Sequence, residues 1–387
     1  MNGEEKPKRN IRRSLSIVFS LLVFAALAYI AVSLITGRSI GFSRLTDIFT
    51  PRRPVLIAEE FYFNIGRNRI FADLGDAIAA AGTLGIQVLD YEGNESFGAS
   101  FRMSQPSIRG FGNRAIVFDI GGSAVRAFDR SRIITSLDIN GAVISASMNQ
   151  NGWFCVSTQE GVSYRGIVTV YDNTGKGMYK VSMGSGYVLS AELSHDNRAL
   201  AILNLTETGS RIAFYKGIDT PKDEPDAVYE SPGLLILDIR YLPGGDMLAI
   251  STDSLILIDK NGSAKELYSY PDKRIGGYTL DSGFITLYLL DFGVGHQGRI
   301  VSLLADGSLL GEVLTDREIL SISSGDDYIC ILYNDRPVIF SKELEELPLA
   351  GEQLSSAGAS RILAFGNDMA LITGDHIALM ITTESER

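Results

Sequence analysis

Apart from its carboxylates, this chain of 387 residues holds few side chains suited to catalysis or metal binding: three histidines and two cysteines. His195 lies in the turn Ser194-His195-Asp196-Asn197, His296 in a glycine-rich stretch, and His376 at the start of an apolar run. No two stand at a spacing that would aim both rings at one metal from a single element. Nucleophilic serine chemistry fares no better, because the GxSxG pattern is absent and the nearest stretch is Gly184-Ser185-Gly186-Tyr187. Gly293, Gly295 and Gly298 spell GxGxxG. A dinucleotide site needs that loop to open a helix whose N-terminus faces the pyrophosphate. Here it runs into RIVSLL, which reads as a strand, so a hairpin loop is expected. Asp291-Phe292-Gly293 imitates a kinase triplet without the HRD loop or phosphate-binding lysine that would give it meaning.

The carboxylates are numerous, 46 Asp and Glu, so counting alone leaves room for a glycosidase-like pair. Position argues for another role. Asp90, Asp129, Asp172, Asp259 and Asp306 each end an apolar strand before a short turn, at separations of 39, 43, 87 and 47 residues, the third being two periods. An aspartate at a turn start accepts hydrogen bonds from the N–H groups that follow it, so a capping role is expected. Asp219, Asp223, Glu224 and Asp226 lack the EF-hand order and read as a solvated acidic loop. Trp153 is the single tryptophan and reads as core. Cys155 and Cys330 sit in apolar strands and read as two buried core thiols, the alternative being one long-range disulfide. Asn94-Glu95-Ser96, Asn204-Leu205-Thr206 and Asn261-Gly262-Ser263 match a glycosylation acceptor that matters only on a eukaryotic secretory route. The sequence therefore assigns no catalytic, cofactor-binding or metal-binding residue and implies no cofactor.

The elements that carry these residues repeat. A strand, a polar turn and a second strand recur as VISASMNQNGWFCVST (143–158), LSAELSHDNRALAILN (189–204) and ILDIRYLPGGDMLAIS (236–251). The first and third are followed by a strand–Asp turn–strand unit, VYDNTGKGMYKV (170–181) and LIDKNGSAKELYSY (257–270), and after the second the marker Asp is missing near Tyr215-Lys216-Gly217. Asn, Asp and Gly supply the turn conformations, and β-branched residues the pleated faces. Two hairpins per 40–45 residues make four strands per unit, the pattern of a propeller blade. Units start near residues 64, 105, 141, 185, 233, 273, 317 and 351. The last holds only RILAF, DMALIT and HIALMIT, and VLIAEEFYF (55–63) is a lone strand. Joining the two closes a ring without an open edge. The expected fold is all-β, an eight-bladed β-propeller, with seven blades as the alternative if the first or last unit is miscounted. The insertion KGIDTPKDEPDAVYESPG (216–233) is expected to be an acidic surface loop.

Ahead of the ring, Ile17 to Ile35 are nineteen residues without a charge. At 1.5 Å each they span about 28 Å, close to the ~30 Å hydrocarbon core. A cleaved signal peptide ending at Ala26-Leu27-Ala28 is the alternative, but the apolar run continues past it. Lys8, Arg9, Arg12 and Arg13 crowd one flank, whereas Arg38 and Arg44 are spread along the other. This bias predicts a cytoplasmic tail (1–14), a membrane helix (15–36), a stalk (37–54) and a propeller (55–387) outside the cell membrane. Nine of the 35 Lys and Arg and three of the 46 Asp and Glu precede residue 54. The remainder is acidic, 26 against 43, which excludes nucleic acid as a partner and disfavours lying flat on anionic lipid.

The turns SHDNRALAIL and LPGGDMLAIST resemble the SPDGxxLA turns of WD-like and quinoprotein-like propellers. The basic tail, single helix, stalk and acidic ring together resemble a bacterial family of unknown function. Its members are single-pass membrane proteins with a propeller outside. Quinone-binding propellers add tryptophan docking motifs and metal ligands, and this chain departs from them. The resemblance implies a fold and carries over no active residue. The functional expectation is a non-catalytic scaffold of the cell envelope that binds a protein or ligand through ring loops and channel. The alternative is an envelope hydrolase or lyase with carboxylates at the channel mouth.

Overall fold

The computed structural model describes residues 54–387 apart from 160–164, 223, 281–282, 294, 348–354, 367–368, 375–377 and 386–387. The expected tail, membrane helix and stalk up to residue 53 lie outside the described residues, as do His376 and Asp223. Among the described residues no helix is long and apolar enough to cross a membrane.

Strands follow one another as eight four-stranded antiparallel sheets. Sheets 1 to 7 cover residues 70–100, 106–138, 142–183, 187–232, 236–269, 273–315 and 319–347 in chain order. The eighth takes Ala359–Phe365, Met369–Gly374 and Ala378–Ser385, and its outer strand is Pro54–Glu60, paired antiparallel with Ala378–Ser385 from Pro54↔Ser385 to Glu60↔Leu379. The lone N-terminal strand thus supplies the missing fourth strand. It ends at Glu60, not at residue 63 as expected. Phe61, Phe63 and Ile65 leave the ladder and enter an apolar cluster with Phe71 and Leu89 of sheet 1 and Phe365 and Leu371 of sheet 8. Seven further clusters each join one sheet to the next. With the first and last sheets joined as well, the ring is closed and the fold is an all-β propeller.

Burial explains the composition of the strands. The second strands lie between two neighbouring sheets, so both faces are covered. Met247–Ser251 and Tyr328–Tyr333 are buried at every position. Such strands read as continuous apolar runs instead of alternating ones. Fourth strands are at the rim and largely exposed, as at Glu95–Ser100. Burying each Leu, Ile or Phe contributes about 1.5–3 kcal/mol, which is why eight small interfaces can replace one large core.

In every sheet the first strand is innermost and touches the first strand of at least one neighbouring sheet. The antiparallel order puts the first-to-second and third-to-fourth connections on one side of the ring, the turn face. The second-to-third connections and the links between sheets lie on the other, the loop face. The insertion at 216–233 departs from expectation. Its first part is a turn-face connection in which Lys222 Nζ donates to Asp226 Oδ1 at 2.7 Å, but Ala227–Pro232 is the outer strand of sheet 4, paired with Gly209–Phe214. The run of Pro and acidic residues concealed a strand whose partner is remote from the hairpin signal.

Candidate functional site

Four charged side chains meet inside the ring. Arg109, on the inner strand of sheet 2 (Pro106–Phe111), reaches Asp238 on that of sheet 5 (Ile236–Tyr241), Nη2 to Oδ1 4.0 Å. Arg240 pairs with Glu192 of sheet 4 at 3.3 Å. Glu192 and Asp238 are buried, so each carboxylate stays near a guanidinium. The channel is therefore bridged between sheets 2 and 5 by an electroneutral group of four. Next to it Ser147 Oγ donates to Ala191 O at 2.8 Å, and Cys155 Sγ lies 3.3 Å from the same oxygen. Burial pushes the Cys155 thiol up to about 12, so it is protonated and unreactive at neutral pH. Cys330, on sheet 7, is also buried, and both cysteines are free thiols, so the disulfide alternative does not hold.

The turn face is polar and tightly bonded. Asp90 Oδ1 accepts from the Glu92 and Asn94 amides at 3.1 and 2.7 Å, Asp129 Oδ1 from Ser131 and Arg132 at 2.8 and 3.0 Å, and Asp172 Oδ1 from Thr174 and Lys176 at 2.8 and 3.0 Å. Asp259 does the same with Asn261 and Ser263. Partial burial alone would raise these carboxyls. At Asp90, Asp129 and Asp172 the hydrogen bonds outweigh it and hold the pKa below the ordinary aspartate value. Asp306 stands two places later in its turn, which Leu304 opens, and caps Ser308 alone. The repeated aspartates are turn caps.

His195 is part of the same network. Its Nε2 lies 3.0 Å from Tyr241 O on sheet 5, and its ring packs edge-on against Phe111 of sheet 2 at 6.1 Å. Asn151 Nδ2 donates to His195 O at 2.7 Å, and Asn149 Nδ2 to Ser194 O at 2.8 Å. The turn that resembled a WD-like motif thus ties four sheets together. His296 lies in the loop between strands Ile285–Asp291 and Gly298–Leu303, which confirms GxGxxG as a hairpin. The two described histidines are on opposite faces. Trp153 packs on the cluster between sheets 3 and 4. Asn204 is fully buried, which removes it as a glycosylation acceptor. Among the described residues no group of three His, Cys, Asp or Glu is placed to hold a metal.

One carboxyl behaves differently. Asp73, at the turn-face end of the inner strand of sheet 1, is raised above the ordinary value by burial, with the Asp326 charge adding to it. Bonds from the Gly75 and Gly366 amides and the Tyr91 hydroxyl oppose this only in part.

The loop face has the opposite character. Its described connections carry six Asp and Glu against six Lys and Arg, whereas those of the turn face carry 15 against seven. Ten of the fifteen large apolar side chains exposed among the described residues are at this face or the strand ends that open on it. They include Leu84, Ile120, Tyr187, Leu205, Leu235, Leu237, Phe292 and Leu320. Phe292 and Leu84 are more than half exposed, at 66% and 53%. A channel bridged by ion pairs, a bonded acidic face and a face that gathers most of the exposed large apolar side chains among the described residues characterise this β-propeller. Sequence reasoning missed the apolar face, because an apolar residue at a strand end has the same spacing as its buried neighbours.

The chain belongs to the family of unknown function DUF5711, whose model matches residues 60–346. No curated protein matches it in sequence. In fold it is similar to BamB from Moraxella catarrhalis, with 13% identity, a TM-score of 0.50, and 85% of this chain and 100% of that one covered. It is also similar to the C-terminal WD40 domain of Sif2, with 10% identity, a TM-score of 0.56, and 86% and 99% covered. In all, 1140 solved chains match, so the likeness identifies the propeller fold and nothing narrower.

Proposed function

We propose that this protein is a non-catalytic scaffold of the cell envelope that holds a protein partner on its loop face. It is anchored by the helix at 15–36, with residues 1–14 in the cytoplasm and the ring outside. The eight sheets are read as eight blades. The observation that carries the reading is the concentration of exposed apolar side chains on a face with balanced charge. Protein interfaces are distinguished by such apolar, aromatic-bearing centres depleted of charge. The anchor rests on the apolar run Ile17–Ile35 and its basic flank.

The test is site-specific photo-crosslinking of the full chain in its native membrane, from Ile120 or Leu237 on the loop face and Met178 on the turn-face side. The expected result is a discrete protein adduct from the first two positions and none from Met178. Equal labelling from all three would sink the reading. Topology is checked separately by protease added to wall-stripped cells, which should digest residues 60–387.

A second reading, an envelope hydrolase or lyase, draws on the raised Asp73 beside the Asp326 charge. It requires that Asp73→Asn abolish a measurable activity without lowering the melting temperature.

A further inference from the structure

We propose that a slot between sheets 6 and 7 is a socket for one bulky apolar side chain of a protein segment, with an acidic residue next to it. This deepens the docking-face reading and rests on it.

The inner strands of sheets 3 to 8 share a ladder irregularity near their loop-face ends, for example between Val188 and Ser190 or Ile319 and Ser321. The residue inside it is large and apolar in four sheets: Ile144, Leu189, Leu237 and Leu320. Sheet 6 alone has glycine there and at the next position, Gly276-Gly277. The two absent side chains leave a cavity of about 320 Å³, walled by Gly276, Gly277, Tyr278 and Tyr288 on one side and Ile319–Ile322 on the other. A Cβ on Gly276 would come within 2.5 Å of the Tyr288 ring, and one on Gly277 within 3.0 Å of Ile322 Cγ2. Both glycines are therefore needed for the slot to stay open. Leu320, 40% exposed, forms its rim. Walls made of two tyrosines with Ile319, Leu320 and Ile322 suit one aromatic or long aliphatic side chain, and such a buried anchor is the usual centre of a protein interface.

Charge defines the neighbouring residue. Arg274 is exposed two residues before Gly276, roughly 6–7 Å along the strand. It lines an adjoining depression of about 300 Å³ with Asp291, Phe292, Gly293 and Gly295. Lys273 is paired with Asp291, and Arg274 is the exposed cation lining this depression beside the slot. A guanidinium at this distance suits a carboxylate one residue from the anchor.

The experiment is saturation-transfer NMR on the full chain in detergent micelles, with Ac-Phe-Glu-NH2 and Ac-Phe-Lys-NH2 as probes. Transfer to the phenyl protons is expected, with the Glu peptide bound about fivefold more tightly. Gly277→Val should abolish transfer. Leu320→Glu, an exposed change without folding risk, should weaken both peptides. Arg274→Glu should reverse the preference. No transfer to the ring, or transfer unchanged by both Gly277→Val and Leu320→Glu, overturns the socket. Equal binding of the two peptides, unaltered in Arg274→Glu, overturns the acidic neighbour. If the socket fails while crosslinking from Ile120 still gives a discrete adduct, the docking face stands without it. If crosslinking also fails, the docking face falls as well.

Discussion

The two faces of this ring are built from the same strands and differ in every property that matters for recognition. The turn face satisfies itself. Its aspartates are occupied by the amides of their own turns, and the Asn149, Asn151 and His195 network links sheets 2 to 5. Its excess negative charge repels other acidic surfaces. The loop face leaves apolar surface uncovered and is close to neutral. Tight turns demand Asp, Asn and Gly at defined places, so the turn face has little freedom to vary. The loop face carries no such row of capping aspartates, and its exposed apolar side chains remain available to a partner.

The comparison presupposes a closed ring, and the largest effect should come from opening it. Deleting residues 54–63 removes the outer strand of sheet 8 and the buried Phe61 and Phe63. Each ring contributes about 1.5–3 kcal/mol and the exposed edge invites aggregation, so a melting decrease of about 10 °C or more is expected by calorimetry. An unchanged transition would remove the closure argument.

Next in size is the effect of charge on the apolar face. The double change Leu237→Glu and Leu320→Glu should lower crosslinking yield about tenfold while shifting melting by no more than about 2 °C, because both side chains are already partly in water. The same yield with intact folding would mean that the partner sits elsewhere.

The turn face should answer in stability instead of binding. Asp129→Ala removes a cap accepting two backbone amides and should cost about 1 kcal/mol by urea denaturation, with crosslinking unaffected. The effect has a pH signature. The folded-state pKa of Asp129 is below its unfolded value, so its stabilisation is present above about pH 4 and lost as pH falls through the folded pKa. Wild type and variant should converge in acid. A gap that does not narrow as pH falls below the unfolded value would contradict the assignment.

The smallest effect separates Asp73 from the other aspartates of its face. Its folded pKa is raised, so ionisation at neutral pH opposes folding. Asp73→Asn should raise stability by less than about 1 kcal/mol at pH 7, an advantage that shrinks as pH falls and the wild-type carboxyl protonates. A destabilised variant at pH 7 would show that the Gly75 and Gly366 bonds outweigh burial.

Most of the fold was legible in the sequence because its determinants are local. The turn Asp172 to Lys176 contains both the cap and the amides it caps, and the run Val168 to Asp172 contains its own strand pattern. The pairing of Pro54–Glu60 with Ala378–Ser385, more than 300 residues apart, was legible from a deficit: one strand too many at one end and one too few at the other. The outer strand Ala227–Pro232 was misread because a rim strand is half exposed and carries no strong alternation.

The sequence by itself determined the repeat, the turn caps, the absence of a metal or nucleophile motif and the apolar N-terminal run, since each depends on residues within a few positions of one another. Only the tertiary structure decided that Arg109 meets Asp238 across the ring, that the two described histidines lie on opposite faces, and that Gly276 and Gly277 open a slot against Ile319–Ile322. These relations join residues about 40 to 130 positions apart. They exist because ring closure brings distant inner strands within a few ångströms of each other, a distance that no local pattern encodes.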